Sequence, residues 1–270
     1  MSGFSAEWLS LREPFDLRAR SPVVLDAVLG AVAAKPNLRI VDLGCGSGST
    51  LRALAPRLSA QQQHWRLVDY DRGLLTRAAE SAAALNVTAV TVTADLQREL
   101  ETVLTENADL ITTSALLDLV SETWIDRLID RVAARAVPVY AALNYDGRIE
   151  LAPAHPLDEA VARAVNLHQR RDKGFGPALG PSAAETALAK FAQRGFSVVH
   201  GSADWVASDK DAAFQSEIVR GWAAAAGETS EIGASNLGAW LAFREEEIGA
   251  GRSALRVGHV DFFAAPAAAA

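Results

Sequence analysis

Leu38-Arg39-Ile40-Val41-Asp42-Leu43-Gly44-Cys45-Gly46-Ser47-Gly48-Ser49-Thr50 is the stretch that decides the fold. Its first six residues are a short run of apolar and β-branched side chains, closed by three glycines on alternate positions. An amphipathic segment follows, from Thr50 to Leu58. That order predicts strand, glycine loop, helix. Side-chain-free positions at Gly44, Gly46 and Gly48 permit a tight turn whose bare backbone can lie against a ligand at a helix N-terminus.

Outward from the loop the same pattern recurs. Strands are predicted at 65–68, 89–93, 108–113 and 137–143, alternating with helices at about 73–85, 97–104 and 122–134. Such alternation specifies a parallel sheet with right-handed crossovers. Ahead of it, residues 5–12 and 22–34 read as helices separated by the polar stretches Arg12-Glu13-Pro14 and Arg18-Ala19-Arg20-Ser21-Pro22. Beyond Tyr145 the alternation stops, and Asp146-Gly147 offers an ordinary turn. Residues 151–181 are rich in charge, Pro and Gly around one helical stretch at 156–169. A helix at 182–194 and a strand at 196–200 resume the pattern, helical segments follow at 209–226 and 235–248, and a last strand is expected at 255–263.

The expected organisation is therefore N-terminal cap helices (1–35), a core domain (36–265) with helical insertions at about 147–181 and 206–252, and a disordered tail (266–270). The fold class is α/β: a seven-stranded, mostly parallel sheet with an antiparallel last strand and helices on both faces.

Composition narrows the chemistry. The formal net charge is -7 over 270 residues, whereas nucleic-acid binders need clustered Lys and Arg, so nucleic acid is not an expected partner. No apolar run approaches the roughly 18 residues that span a bilayer, so no membrane partner is expected. The first residues, Met1-Ser2-Gly3-Phe4-Ser5-Ala6-Glu7, carry no basic start followed by an apolar run, and a cytoplasmic location is expected. Cys45 is the single cysteine, which excludes an intrachain disulfide and a multi-cysteine metal site; no metal is expected. A monomer or homodimer is expected.

The dinucleotide fingerprint requires G-x-G-x-x-G, and the third glycine would fall at Ser49. The spacing here is G-x-G-x-G, with Asp42 two places ahead. In this motif the chain resembles the class I, Rossmann-like, S-adenosylmethionine-dependent methyltransferases, over about 36–200 and again at 255–263. The resemblance implies S-adenosyl-L-methionine as cofactor and methyl transfer to a small-molecule acceptor. It implies that Gly44, Cys45, Gly46, Ser47 and Gly48 contact the amino-acid moiety of the donor, with Asp42 close by. A nucleotide-dependent oxidoreductase on a similar sheet, or a donor-binding partner protein without catalysis, are the alternatives.

Asp69, at the end of the second strand, is placed to accept both ribose hydroxyls and would repel a 2′-phosphate. Tyr70 beside it would cover the adenine. Asp95, with Leu96 after it, stands at the end of the third strand where such enzymes place an acid facing the adenine amino group; as a helix N-cap it would need no ligand. Ligands collect beyond the carboxyl ends of strands in open α/β sheets. This points to Ser114 after the fourth strand and to Asn144 and Tyr145 after the fifth. The fourth-strand segment lacks the Asn-Pro-Pro-Tyr or Asp-Pro-Pro-Tyr of enzymes methylating bases and amides.

Methyl transfer requires alignment and exclusion of water rather than a dedicated triad. An oxygen or protonated-amine nucleophile also needs a proton acceptor, and Tyr145, His168, His155 and Asp118 are the available types. Tyr145 and His168 are the catalytic candidates. Arg163, His168, Arg170, Arg171 and Lys173 form a basic cluster in an otherwise acidic chain. It reads either as a solvated helix face or as a lid recruiting an anionic substrate. Arg12, Arg18 and Arg20 near the N-terminus allow the same two readings. Arg12, Asn144 and Arg171 are the substrate-binding candidates, and Arg20 joins the cofactor set.

Overall fold

In the computed structural model, which describes residues 5–105 and 107–267, the predicted strands assemble into one sheet of eight. Parallel strands β1 (Asn37–Leu43), β2 (Gln62–Asp69), β3 (Thr88–Thr93), β4 (Leu110–Ser114) and β5 (Val139–Ala152) are completed by β6 (Phe196–Ser202), β7 (Trp205–Ala207) and β8 (Ala254–Pro266). The order is β3-β2-β1-β4-β5-β8-β6, with β7 on the far part of β8. β8 runs antiparallel to β5, β6 and β7. Strand order therefore reverses between β1 and β4, and a crevice forms at their carboxyl ends.

The helices are α1 (Ala6–Ala19), α2 (Pro22–Val32), α3 (Ser49–Leu54), α4 (Arg72–Ala84), α5 (Leu96–Val103), α6 (Glu122–Ala133), α7 (Asp158–Gln169), α8 (Ala183–Gln193), α9 (Ala212–Thr229) and α10 (Ala234–Gly249). None is long and apolar enough to cross a membrane. Their starts follow local chemistry: Asp71 accepts from Gly73 and Leu74 N–H to begin α4, and Ser121 accepts from Trp124 N–H to begin α6. One core lies on each face of the sheet. Leu43, Ile111, Trp124, Leu128 and Phe191 belong to one, and Val28, Leu38, Leu54, Trp65 and Leu110 to the other.

A third core holds Phe15, Phe214, Trp222, Trp240, Leu255 and Val257, where α1, α7, α9 and α10 meet the far halves of β5 and β8. Trp8, Phe15, Trp205, Trp222 and Trp240, the aromatics scattered outside the alternating core of the sequence, gather there.

Three elements differ from expectation. Helix α1 passes through Pro14 as one unit, where a break was expected. Proline removes one intrahelical hydrogen bond and crowds the carbonyl four residues back. Tertiary contacts outweigh that cost: buried Phe15 stacks on Phe214 at 3.6 Å, and Arg12 pairs with Asp16 one turn on at 3.0 Å. Strand β5 continues to Ala152 instead of ending at Leu143. Asp146-Gly147 is an irregularity inside it, with Gly147 at φ +89 and register shifts on either side of Asn144 and Tyr145. β7 is a short eighth strand beyond the seven expected. Of the expected disordered tail, Pro266 pairs with Phe196 in the sheet and the Ala267 N–H donates to the Gly195 carbonyl at 3.3 Å, whereas 268–270 lie outside the described residues.

Candidate functional site

At the carboxyl ends of β1 to β4 the glycine loop turns sharply out of the sheet. Gly44, Gly46 and Gly48 take φ of +64, +53 and +90, the left-handed region that side chains resist. They serve different ends. Gly44 and Gly46, with Cys45 and Ser47, line a cavity of about 730 Å³. A Cβ on Gly46 would sit 3.6 Å from Leu9 of α1. Gly48 caps α3 away from the lining, and a Cβ there would meet the Ala78 backbone of α4 at 3.3 Å. Arg52 fixes the loop from behind, donating to the Ser47 carbonyl at 2.5 Å and to Ser81 Oγ at 2.6 Å, and pairing with Glu13 of α1.

Asp69 stands at the rim with its carboxylate drawn toward the loop: Oδ2 accepts the Gly46 N–H at 2.9 Å and Oδ1 the Asp71 N–H at 3.0 Å. Burial raises its pKa against these bonds. A carboxylate has more acceptor sites than these bonds use, and Asp69 lines the cavity. Tyr70, half-exposed, lines the same wall with Leu74 and Leu96. Asp95 is a helix cap that also borders the cavity. It caps α5 by accepting the Gln97 N–H at 2.9 Å, Glu99 accepting the Asp95 N–H in return, and it lines the cavity. Ser114, at the end of β4, lines the cavity with a buried Oγ that has no hydrogen-bond partner.

Asp42 is fully buried beneath the loop and does not reach the cavity. Its Oδ1 accepts from Thr112 Oγ1 at 2.7 Å, and burial pushes its pKa up to about 7. Cys45 is buried and its thiol is pushed up for the same reason. Arg20 also lies below the cavity. It donates to Tyr140 Oη at 3.1 Å and to Thr50 Oγ1 at 3.4 Å, and shares that buried network with Asp261. Its position ties the α1–α2 junction to β5, β8 and α3.

Two segments complete the enclosure. Helix α1 brings Leu9, Arg12 and Asp16, and residues 172–175 bring Asp172, Lys173, Gly174 and Phe175. Asp16 accepts from Arg12 Nε and from Trp205 Nε1 at 2.9 Å, while Asp172 Oδ1 accepts the N–H groups of Gly174 and Gly176, folding that segment into a tight turn. Leu9, Asp16, Leu119 and Phe175 were not singled out in the sequence. The signal for Phe175 was an aromatic between two glycines in a turn-rich stretch.

The remaining named residues lie outside the lining. Asn144 is buried and donates to the Val260 carbonyl at 2.8 Å. Tyr145 donates to Asn166 Oδ1 at 2.7 Å, and burial raises its phenol pKa. His168 and Arg171 meet Glu228 of α9, at 3.0 and 3.3 Å. Asp118, in the turn after β4, is buried with Oδ1 unpartnered and a carboxyl pushed up to about 6 by burial.

A sheet in this order, a G-x-G-x-G turn at its reversal and an acid at the end of β2 define the class I methyltransferase fold. The comparison with known families agrees: residues 40–138 match the family described as a methyltransferase domain. That segment is thus similar to a methyltransferase domain. Among curated proteins none matches the sequence. Among solved structures the chain is similar to the cyclopropane synthase MmaA2 from Mycobacterium tuberculosis, at 12% identity and a TM-score of 0.52, covering 97% of this chain and 94% of that one. It is also similar to the YcgJ protein from Bacillus subtilis, at 12% identity and a TM-score of 0.50, covering 91% and 99%. A SAM-dependent methyltransferase from Thiobacillus denitrificans, in complex with S-adenosyl-L-homocysteine, matches at 20% identity and a TM-score of 0.48, covering 97% and 99%.

The residues present suit S-adenosylmethionine. The Gly44–Ser47 backbone leaves open the space that side chains would fill, Asp69 keeps acceptor capacity for vicinal hydroxyls, and the orphaned Ser114 Oγ awaits a polar partner.

Proposed function

We propose that this protein transfers the methyl group of S-adenosylmethionine, by in-line displacement, to a small-molecule acceptor that carries negative charge. The observation that carries the reading is the enclosure itself. The cavity next to the glycine loop is roofed by α1 and by residues 172–175, and its volume of about 730 Å³ suits small ligands rather than a polymer. The net charge of -7 supports the same choice.

When bound, the donor supplies an electrophilic methyl on a sulfonium. The protein's own residues have three tasks. Asp69 and the Gly44–Ser47 backbone hold the donor end, with Tyr70, Asp95 and Leu96 forming the wall beyond. Leu9, Leu116, Leu119 and Phe175 keep water from the reacting atoms. Lys173 supplies positive potential in the wall, whereas the charge of Arg12 is met by Asp16. Holding a nucleophile in line is worth roughly 7 to 11 kcal/mol, and no dedicated triad is needed. Action in the cytoplasm, as a monomer or homodimer, belongs to the same proposal.

The test is incubation with S-adenosylmethionine bearing a labelled methyl group and a metabolite extract, followed by identification of the labelled product by mass. A labelled acidic small molecule is the expected result. Binding of NAD in place of S-adenosylhomocysteine, or the absence of a labelled product from every fraction, would overturn the proposal.

A further inference from the structure

Each carboxylate in the roof of the cavity already has partners. Asp16 is taken by Arg12 and Trp205, and Asp172 by two backbone N–H groups. Lys173 differs. It is half-buried in the wall, and among the described residues no carboxylate lies within ion-pair distance of its ammonium. Its ammonium meets His168 instead, with Nδ1 3.3 Å from Nζ.

The neighbouring hydrogen bonds fix what His168 does. Glu228 can only accept from His168 Nε2, so Nε2 bears the proton and Nδ1 is left as an acceptor for the Lys173 ammonium. Glu228 is also engaged by Arg171, through its side chain at 3.3 Å and its carbonyl at 2.7 Å. The chain Glu228, His168, Lys173 thus points a cation at the cavity without neutralising it. His168 and Glu228 are positioning residues, acting through Lys173. Burial lowers the Lys173 pKa against the longer-range pull of Glu228 and Asp118.

We propose that Lys173 selects the acceptor, and that the acceptor is a monocarboxylate with an apolar body. This rests on the methyl-transfer reading above. A single ammonium with one of its three protons given to His168 matches one carboxylate. A phosphate dianion would face Asp16 and Asp172 in the same cavity, with too few donors to hold it. The apolar body follows from Leu116, Leu119 and Phe175, which share the cavity with Lys173.

The experiment titrates protein saturated with S-adenosylhomocysteine, by calorimetry, with phenylacetate and octanoate, with their primary amides, and with phenyl phosphate. The acids are expected to bind saturably, at least tenfold tighter than the amides. In Lys173→Gln acid and amide should bind alike, and Lys173→Arg should restore the preference. Equal binding of acid and amide to the native protein, no saturable binding of either acid, a preference surviving in Lys173→Gln, or phenyl phosphate binding tighter than phenylacetate would each overturn the proposal. The preceding titration with S-adenosylhomocysteine separates the two readings. Failure there sinks methyl transfer itself, whereas success there without acid selectivity sinks only the role of Lys173.

Discussion

Asp69 Oδ2 and the Gly46 N–H meet at 2.9 Å, joining the end of β2 to the middle of the glycine loop. The carboxylate therefore shapes the loop and faces the cavity at once. In Asp69→Ala the loop loses its anchor and the donor loses charge-assisted hydrogen bonds of roughly 1.5 to 3 kcal/mol. That is a weakening of roughly 10- to 150-fold in S-adenosylhomocysteine affinity, measured by calorimetry. Unchanged affinity in a folded variant would remove Asp69 from the site.

The glycines separate into two kinds, and substitution should tell them apart. Gly48→Ala forces a side chain into φ +90 and against the Ala78 backbone at 3.3 Å. Strain of this kind costs of order 1 to 3 kcal/mol, read as a lowered denaturant midpoint. Gly46→Ala, at φ +53, meets only Leu9 at 3.6 Å but lines the cavity. It should reduce ligand affinity more than Gly48→Ala does, when both are compared at a temperature where each is folded.

The loop and the parallel strands were legible because their signals are local. Glycines on alternate positions and apolar runs of strand length are complete within a dozen residues. The continuity of α1 through Pro14 was not, since Phe15 finds Phe214 only after the third core has formed. Nor was the length of β5, whose far half is held by β8 more than a hundred residues later. At the site, Gly44, Gly46, Asp69, Tyr70 and Asp95 are placed by the strand ends they follow, so position in sequence implied position in space. Tyr145 and His168 are residue types that can exchange protons, but their partners are Asn166 and Glu228, on elements the motif does not reach.

Buried Asp42 gives the fold a pH dependence of determinate sign. Its pKa rises from an ordinary 3.8 to about 7, so the folded state prefers the protonated form. That stabilisation is complete below about pH 4 and is lost as pH climbs through 7. Asn at this position keeps an acceptor for the Thr112 hydroxyl and does not titrate. Between pH 8 and pH 5 the native protein should gain roughly 2 to 3 kcal/mol on Asp42→Asn in urea denaturation. Buried His259, lowered to about 4, acts in the opposite sense between pH 6.5 and 4, but it is common to both proteins and cancels. A pH-independent difference would show that Asp42 titrates normally.

The third core depends on a buried ion pair rather than on its aromatics alone. Arg244 of α10 is fully buried, donates to the Pro153 carbonyl at 2.7 Å and pairs with Asp158, which also accepts from Trp240 Nε1 at 2.8 Å. Removing one partner leaves a charge stranded in apolar surroundings, so Asp158→Ala should cost about 3 to 5 kcal/mol in urea denaturation. The double variant Asp158→Leu with Arg244→Met removes both charges and should recover most of that loss. No residue lining the cavity comes from α7, α9 or α10. Affinity for S-adenosylhomocysteine should therefore survive in either variant wherever it remains folded, and a parallel loss of binding would show that this core is coupled to the cavity through α1.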